Sequence, residues 1–346
     1  MATTFAVPDG RVAMAATTYT GNGTGVGQSI TNTVNTVSFQ PDLVWIKSRS
    51  GAYDHGLNDS NRGAGKFLFS NLTSAEGNYP TDFASFNSNG FTLGTGTGVV
   101  TNNSGSTYVG WQWNAGGTTV SNTAGTITSS VSANTTAGFS VVTYTGTGAN
   151  ATVGHGLGVA PRMVIIKSRS VATNWIVYHS SVAATAHLVL NLTDAAYTDV
   201  AFNNTAPTSS VFSIGPAGYS VNNSAATYVA YCWAPVAGYS AFGSYTGNGS
   251  ADGPFVYTGF RPRWIMTKSS SGVENWYVYD TARDTYNYAS LGLLPNLSNA
   301  ETSYGQIDIL SNGFKMRGVG SSWNASGATY IYACFAENPL RYANAR

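Results

Sequence analysis

The sequence contains few charged residues. Only 9% of its 346 residues are Asp, Glu, Lys or Arg, and the formal net charge is +1. Nucleic-acid-binding proteins usually carry a basic surface that neutralises phosphates, so this balance predicts no nucleic-acid partner. The low charge does not indicate disorder either, because disordered chains are poor in aromatic residues and this chain is 13% aromatic.

Cysteine and histidine are also scarce. The two cysteines, Cys232 and Cys334, occupy corresponding places in two internal repeats. A disulfide bond between them is one interpretation, and we favour the other, two small thiols buried in core strands. The four histidines show no metal-ligand spacing, so we expect neither a metal centre nor a cofactor.

Long apolar runs are missing as well. No segment approaches the roughly 18 residues of a membrane span, and residues 1–11 lack the basic start and apolar stretch of a signal peptide. We therefore expect a protein made in the cytoplasm of a host cell, without membrane insertion. Because its composition is that of a surface protein, the combination fits a component of a virus particle.

The residues that are abundant favour β-structure. The chain has 40 glycines and 21 tyrosines, with many threonines and valines. Aromatic and β-branched side chains suit a pleated sheet. No stretch has the Glu, Lys, Leu and Ala content that a long helix needs.

One twelve-residue stretch occurs three times, at residues 39–50, 159–170 and 260–271. Each copy holds an apolar strand that is entered through a proline and left through a polar turn. A lysine follows the proline by six residues in every copy, and these lysines are Lys47, Lys167 and Lys268. A lysine retained at the end of each strand is more typical of the module's architecture than of a ligand site.

Each repeat also opens and closes on a tyrosine. The opening tyrosines, in Tyr-Thr-Gly, are Tyr19, Tyr144 and Tyr245, and the closing ones, in Ser-x-x-Thr-Tyr, are Tyr108, Tyr228 and Tyr330. The closing tyrosines lie 67, 67 and 68 residues after the prolines of their repeats. The length and turn spacing predict an all-β protein of three homologous antiparallel β-sandwich modules, jelly-roll-like and in tandem.

The predicted boundaries place an N-terminal arm at 1–14 and modules at 15–116, 117–236 and 237–346. The sequence allows two arrangements of the modules, a string of separate beads and a compact trefoil. The connection over 114–138 is long and rich in Thr, Ser and Gly, whereas that over 234–238 is short. We therefore expect modules 2 and 3 to be fixed relative to each other, with more freedom, or an added edge strand, between modules 1 and 2.

Aligning the repeats on their lysines exposes one polar pair. Asp59 and Arg62 recur at the same offsets as Asp280 and Arg283, whereas the second repeat has His179 and Val182 there. The Asp-x-x-Arg spacing suits an ion pair across a turn or a short helical segment. A catalytic device kept in two modules is the alternative, and we favour a structural ion pair that braces a loop.

The sequence contains no motif that marks an enzyme. It has no nucleophile elbow, no Walker loop, no calcium loop and no carboxylate pair in a glycosidase context. His55 occupies a position that is Trp175 and Trp276 in the other repeats, which favours packing over proton transfer. We therefore predict that the protein is not an enzyme.

Aromatic residues in polar loops are better functional candidates. Tyr and Trp rings stack on sugar rings and are enriched in protein interfaces. Packing in the core or at its rim is the alternative for each of them. The candidates for contact with a glycan or a protein partner are Tyr53, Tyr79, Tyr286, Tyr288 and Trp323.

Three further segments, residues 39–49, 88–93 and 336–346, carry a resemblance. They resemble a repeated β-module family of tailed bacteriophages, notably phages of marine and freshwater bacteria. Its members are called virion structural or tail-fibre-like proteins, and their function is generally uncharacterised. The resemblance extends from about residue 19 to residue 346 and is closest in the first and third modules. It implies a viral structural component and brings no catalytic residues with it.

Three functions follow, in order of preference. The first is a non-enzymatic virion protein, a fibre or appendage or a decoration of the capsid surface, bound to other capsid or tail proteins. The second is a host-glycan or receptor-binding protein that uses the loop aromatics. The third is a polysaccharide-degrading enzyme, which the missing acid pair disfavours.

Attachment to the virion is expected at the termini, residues 1–14 and 339–346. The candidate anchor residues are Phe5, Val7, Pro8 and Arg11. Because viral fibres and many decorations are trimers, we expect a homotrimer, although no coiled-coil heptad supports one.

Overall fold

The computed structural model describes residues 6–23, 25, 27–96 and 98–337. Within that part of the chain it contains 27 β-strands, one 3-10 turn (Gly10–Val12) and one short helix, α1 (Ser321–Asn324). The strands form several antiparallel sheets. The predicted all-β class with sandwich-type modules is therefore confirmed.

Module 1 consists of two sheets. Its strands are β1 (Met14–Thr20), β2 (Gln28–Thr31), β3 (Leu43–Ser48), β4 (Gly56–Asp59), β5 (Lys66–Phe69), β6 (Gly77–Asn78), β7 (Ser85–Asn87), β8 (Gly90–Leu93) and β9 (Thr107–Trp113). The larger sheet has the order β1-β9-β3-β4-β5-β6, and the smaller one the order β2-β8-β7.

Module 2 repeats this arrangement with an extended first sheet. Its strands are β10 (Val120–Asn122), β11 (Ser129–Asn134), β12 (Phe139–Thr145), β13 (Ala151–Gly154), β14 (Met163–Ser168), β15 (Ile176–His179), β16 (Ala186–Val189), β17 (Tyr197–Thr198), β18 (Val211–Ile214) and β19 (Thr227–Trp233). The orders are β10-β11-β12-β19-β14-β15-β16-β17 and β13-β18.

Module 3 has two four-stranded sheets. Its strands are β20 (Ser240–Thr246), β21 (Asp252–Tyr257), β22 (Pro262–Ser269), β23 (Trp276–Asp280), β24 (Ala289–Gly292), β25 (Thr302–Leu310), β26 (Gly313–Arg317) and β27 (Thr329–Ala336). The orders are β20-β27-β22-β23 and β21-β26-β25-β24. The three modules thus share one four-strand order, seen as β1-β9-β3-β4, β12-β19-β14-β15 and β20-β27-β22-β23. We call these the central sheets, and the smaller sheets the outer sheets.

The repeated tyrosines stack in pairs across each central sheet. Tyr19 pairs with Tyr108, Tyr144 with Tyr228 and Tyr245 with Tyr330 in the strand register. The ring centroids of each pair are 5.1 Å apart, and the ring planes are nearly parallel. The two sequence signals that open and close a repeat therefore describe one cross-strand contact.

The central strands are buried on both faces. In β3 every residue is buried: Leu43 and Trp45 face one hydrophobic core, and Val44 and Ile46 face another. Successive side chains of a strand point to opposite sides, so a strand covered on both sides reads as a continuous apolar run. This explains why the repeated stretch lacks polar alternation.

One hydrophobic core is shared by all three modules. Trp113 of module 1 packs edge to face against Trp233 of module 2 and Trp264 of module 3, with ring centroids 6.0 and 5.5 Å apart. Phe335 of module 3 joins them at 5.7 Å from Trp113. Buried aromatic rings supply large apolar area and favour such T-shaped contacts. The compact arrangement, rather than beads, is the one observed.

The connection between modules 1 and 2 is built into the structure. Its strands β10 and β11 add to the edge of the central sheet of module 2, which is the added edge strand that the sequence left open. The buried carboxylate of Asp42 accepts hydrogen bonds from the backbone nitrogens of Ala115 and Gly117, at 2.7 and 3.1 Å. Burial raises the pKa of Asp42, and these bonds together with Ser60 oppose that rise.

The N-terminal segment is not a free arm where it is described. Val7 is 1% exposed and belongs to the shared core, and Ala13 is equally buried. Strand β1 already begins at Met14. The two cysteines are free and buried, as we favoured.

Candidate functional site

The two predicted ion pairs are formed, and they lie inside the protein. The side chains of Asp59, Arg62, Asp280 and Arg283 are 0% exposed. In module 1 the Nε of Arg62 donates to Asp59. In module 3 the Nε of Arg283 donates to Asp280 at 2.6 Å.

Every N–H of the Arg62 side chain has an acceptor. Besides Asp59, the acceptors are the backbone oxygens of Lys66 and Leu57, the carboxylate of Glu76 and the hydroxyl of Tyr231. Burial alone would lower the pKa of Arg62, but Asp59, Tyr231 and Glu76 raise it above its ordinary value. Such complete pairing is what keeps a buried charge stable.

Each ion pair is extended across a boundary between modules. Glu76 of module 1 accepts from Arg62 of its own module at 3.1 Å and from Arg169 of module 2 at 2.9 Å. Glu301 of module 3 likewise accepts from Arg283 at 2.8 Å and from Arg49 of module 1 at 2.8 Å. A glutamate therefore bridges two arginines at each of these boundaries, which we call seams.

The third seam has the same backbone contact without the charges. The backbone nitrogen of Ala196 in module 2 donates to the oxygen of Ser270 in module 3 at 2.9 Å. The equivalent bonds are Glu76 to Arg169 and Glu301 to Arg49, both 2.7 Å. Val182, Ala196 and Ser270 thus stand where the other seams have an Arg-Glu-Arg triad. The seams run from module 1 to 2, from 2 to 3 and from 3 to 1, so the modules form a closed ring.

The carboxylates of the ion pairs also receive a donor from the next module. The hydroxyl of Tyr231 donates to Asp59 and the indole nitrogen of Trp111 donates to Asp280, both at 2.8 Å. In module 2 the ring of His179 is bonded instead to the backbone oxygen of Tyr332, at 3.1 Å. The Asp-x-x-Arg pairs, which the sequence predicted to brace a loop, therefore also hold one module against the next.

The three repeated lysines are buried at the seams. Lys167 donates to the backbone oxygen of Thr73 in module 1 at 3.0 Å, and Lys268 to that of Thr193 in module 2 at 3.1 Å. Lys47 bonds the oxygens of Ser48 and Gly51 in its own module. Burial lowers the pKa of Lys47 to about 7 and those of Lys167 and Lys268 to about 8. Their place supports the architectural role expected from the sequence.

His55 packs as its position predicted. Its ring is fully buried, lies 5.9 Å from the Trp45 ring centroid, and accepts a hydrogen bond from the Trp45 indole at 3.0 Å. Burial holds the pKa of His55 well below its usual range. Trp175 and Trp276, its counterparts, donate to backbone oxygens of the preceding module. The two tryptophan rings therefore serve the seams, whereas the hydrogen bond of His55 lies within its own module.

The five predicted aromatic residues are not brought together. Tyr53 is half-buried, Tyr79 packs on Phe67 and Phe69, and Trp323 lies edge-on to Tyr277 with ring centroids 5.6 Å apart. Tyr286 and Tyr288, in the loop between β23 and β24, remain 84% and 52% exposed.

Sequence reasoning missed two exposed aromatic residues in the outer sheet of the same module. Phe255 and Tyr257 are 47% and 68% exposed, while Val256 between them is 5% exposed. They lie on β21, the edge strand of an outer sheet. Because Phe255, Val256 and Tyr257 are all apolar, the segment has no alternation of apolar and polar residues, and nothing in the sequence indicates which of them faces solvent.

The predicted anchor residues have different environments. Val7 is in the core, Pro8 is exposed, and Arg11 forms a two-pronged ion pair with Asp9. Phe5 and residues 339–346 lie outside the described residues. Pro8 is therefore exposed and could contact a partner, whereas the side chain of Val7 is buried in the core of the chain itself.

An open polar pocket of about 450 Å³ lies where module 1 meets the connection to module 2. Its lining consists of Gln40, Asn114, Gly116, Gly117, Ala133, Asn134 and Thr135. None of these seven residues carries a titratable side chain, so the pocket offers hydrogen bonds and no acid or base.

Among the described residues, no group of three or more His, Cys, Asp or Glu side chains is arranged to hold a metal ion. That part of the chain also has no helix long and apolar enough to cross a membrane.

Comparison with known proteins gave one family. A family described as "Domain of unknown function (DUF7483)" matches residues 13–339, which include all three modules. No curated protein matches the chain.

Proposed function

We propose that this chain, which belongs to the DUF7483 family, is a non-enzymatic structural protein of a bacteriophage virion. It would serve as a fibre or appendage, or as a decoration of the capsid surface, and bind other capsid or tail proteins. The observation that carries the proposal is the closed ring of modules. The polar residues that recur between repeats are buried in the seams, where they fix one module against the next.

The distribution of charge supports a structural role. Catalysis needs ionisable groups that substrate can reach, and they are normally placed in a cleft. Here the ion pairs Asp59–Arg62 and Asp280–Arg283 and the three repeated lysines are buried and bonded. The resemblance of residues 39–49 and 88–93 to phage modules points to the virion as the place where this structure is used.

Particle reconstruction tests the location directly. Particles that contain the chain should show density for the three-module ring at the capsid surface or on a tail appendage. Labelling purified particles with an antibody to the chain gives the same answer at lower resolution. If the chain occurs in infected cells but is absent from purified particles, the virion assignment fails.

The N-terminal anchor can be tested with two deletions. Removing residues 1–6 deletes Phe5 and leaves the core contact of Val7 in place. Removing residues 339–346 tests the other terminus. Loss of the chain from otherwise intact particles in either case would identify that terminus as the attachment site. If both deletion variants are incorporated into particles as well as the full chain is, the hypothesis of a terminal anchor is refuted.

The homotrimer remains a prediction. A monomer has a mass of 36.2 kDa, so light scattering after size-exclusion chromatography separates a monomer from a trimer. Three related modules already form a ring within one chain, so the ring does not require three chains. A monomer in solution would therefore contradict the homotrimer and leave the virion role unaffected.

A host-glycan or receptor-binding role is the second candidate. The exposed rings of Tyr286 and Tyr288, together with those of Phe255 and Tyr257 on the outer sheet of the same module, favour it. Binding of the isolated chain to host surface polysaccharide is the first test, and absence of binding counts against this role alone. Turnover of that polysaccharide would instead indicate the enzyme that we disfavour.

A further inference from the structure

The outer sheet of module 3 carries an exposed aromatic surface. It consists of Phe255, Tyr257, Tyr286 and Tyr288, which are 47%, 68%, 84% and 52% exposed. We call these four residues the aromatic face. Side chains that remain exposed to this extent can contact a ligand.

Two rings of the face are fixed by strand β21. This strand pairs with β26, so that Phe255 lies opposite Lys315 and Tyr257 opposite Gly313. The edge of the Phe255 ring lies over Gly313, with Cε2 3.1 Å from the point where a Cβ would stand. The absence of a side chain at Gly313 therefore lets an aromatic ring lie across the sheet.

The other two rings are held beside strand β25. The side chain of Asn287, between Tyr286 and Tyr288, accepts from the backbone nitrogen of Ile309 at 2.8 Å and donates to its oxygen at 3.0 Å. Ile309 pairs with Phe314, which pairs with Val256. Strands lie about 4.8 Å apart, so the two ends of the face are separated by roughly 15 Å.

The other modules lack this face at equivalent positions. In the register of the outer sheets, Val256 pairs with Phe314 across the strands. The corresponding cross-strand pairs are Ile30 with Phe91 in module 1 and Val153 with Phe212 in module 2. These pairs identify Ser29 and Thr152 as the equivalents of Phe255, and Thr31 and Gly154 as those of Tyr257. The fold thus forms twice without aromatic residues here, and their presence in module 3 is not a requirement of packing.

The charged side chains around the face include no excess of positive charge. Asp252 pairs with Lys315 at 2.6 Å and with Arg317 at 3.0 Å, and Asp308 pairs with Arg317 at 2.7 Å. These two acids and two bases leave no net charge beside β21, and Asp284, two residues before Tyr286, adds a carboxylate that accepts from the backbone nitrogens of Ser290 and Leu291 at 2.7 and 3.1 Å. A face without excess positive charge matches an uncharged ligand better than an acidic polysaccharide.

Geometry also disfavours a protein partner. The bulge between Asp252 and Phe255, which contains Pro254, interrupts the edge of β21 and blocks the addition of a further strand. The exposed apolar area of four partly covered rings is about 500 Å². A stable protein interface buries about 800 Å² on each partner. A short row of flat rings instead fits the faces of sugar rings.

We infer that the aromatic face binds a neutral oligosaccharide, whose sugar rings stack on Tyr257 and Tyr286 while Asp252 and Lys315 contact its hydroxyl groups. This inference rests on the glycan-binding role proposed above as the second candidate. It does not depend on where in a virion the chain resides.

Affinity electrophoresis tests this inference. The full chain is run through native gels that contain a neutral glucan, mannan or galactan, or alginate as an acidic control. We expect retardation by at least one neutral polysaccharide and none by alginate. The double variant Phe255→Ser, Tyr257→Thr, which installs the module 1 residues, should weaken that binding at least tenfold.

Matched variants separate the face from other exposed aromatics. Tyr286→Ser with Tyr288→Ser should also weaken binding at least tenfold, whereas Tyr79→Ser, 45% exposed on module 1, should leave it unchanged. Retardation that survives both double variants would place glycan binding elsewhere and overturn this site while keeping the glycan role. Lack of retardation by every neutral polysaccharide would overturn the inference.

Sedimentation velocity tests the protein alternative. A dimer that dissociates in the Phe255→Ser, Tyr257→Thr variant would show that a second copy covers the face, and it would also overturn the inference. A particle reconstruction that lacks the chain would remove the virion role without affecting the gel result. The two failures are therefore distinguishable.

Discussion

The centre of the ring and the outer sheets differ in what the three modules have in common. At the centre each module contributes the same elements: a buried lysine, a stacked tyrosine pair and a seam contact. On the outer sheets the equivalents of Phe255 are serine and threonine. Residues that recur in all copies therefore hold the ring together, and a particular function is to be sought where one copy departs from the others.

The seams offer a second comparison within the centre. Two seams carry an Arg-Glu-Arg triad with one fully buried arginine, and the third has Val182, Ala196 and Ser270 at the equivalent positions. A buried triad can often be replaced by apolar residues without loss of stability, whereas removal of one member leaves an unpaired charge. The uncharged seam shows that the ring contact itself does not require charge.

The largest expected effect comes from breaking one charged seam. Arg283→Val leaves the buried carboxylate of Asp280 without its ion pair, and we expect a loss of about 3–5 kcal/mol in the free energy of unfolding. The fourfold variant Asp280→His, Arg283→Val, Glu301→Ala, Arg49→Ser installs the residues of the uncharged seam. It should lose much less, because no charge is left unpaired. Urea unfolding measures both, and equal losses would refute the equivalence of the seams.

A pH effect of a few kcal/mol for each residue should come from the buried lysines. Their pKa values of about 7 and 8 in the folded state lie below the ordinary value of about 10.4 expected in the unfolded chain. Between these limits the unfolded chain binds more protons, so the free energy of unfolding should rise from pH 7 to pH 10. Above pH 10 the trend should reverse, because burial raises the pKa of tyrosines such as Tyr239.

The slope of that pH dependence is the quantity to measure, by urea unfolding at several pH values. In the variant Lys167→Met one titrating lysine is absent, and the slope should be shallower whatever the change in overall stability. An unchanged slope would mean that Lys167 has its ordinary pKa in the folded state.

A smaller effect is expected from the partly exposed arginines at the outer ends of the triads. Arg49 and Arg169 keep about a quarter of their side-chain surface exposed, so solvent screens their contact with glutamate. Arg49→Ser and Arg169→Ser should each cost about 1 kcal/mol or less. Thermal unfolding compares them with Ser270→Ala at the uncharged seam, which should change stability least. Losses as large as that of Arg283→Val would contradict this ranking.

The smallest effect should come from the outer sheet. Exposed side chains usually contribute within about 0.5 kcal/mol, so Phe255→Ser with Tyr257→Thr should leave the unfolding midpoint almost unchanged. A large destabilisation would show that the aromatic face has a packing role, and the contrast between centre and outer sheets would then fail.

Local signals made much of the fold predictable. The tyrosines that open and close each repeat recur at near-constant spacing, and the Asp-x-x-Arg pairs join residues three apart, so spacing alone exposed the repeats and these ion pairs. The environment of the pairs was not predictable in this way. Arg49 meets Glu301 252 residues away, and no spacing within one repeat indicates such a partner.

The candidate site shows the same division. Tyr286 and Tyr288 were identified from a polar loop, but Trp323 came from the same criterion and packs on Tyr277. Phe255 and Tyr257 were missed because an aromatic residue in a strand is more often buried than exposed. Only the register of β21 against β26 establishes which side of the strand faces solvent.

The sequence by itself determined the strands, the three repeats and the partners within each ion pair. These follow from side-chain alternation, from turn residues and from contacts between near neighbours. The tertiary structure decided that the modules close into a ring, that the recurring charges are buried at the seams and that one outer sheet presents an aromatic face. Those features depend on which surfaces meet when three similar modules pack around one core, and residues far apart in the chain meet only then.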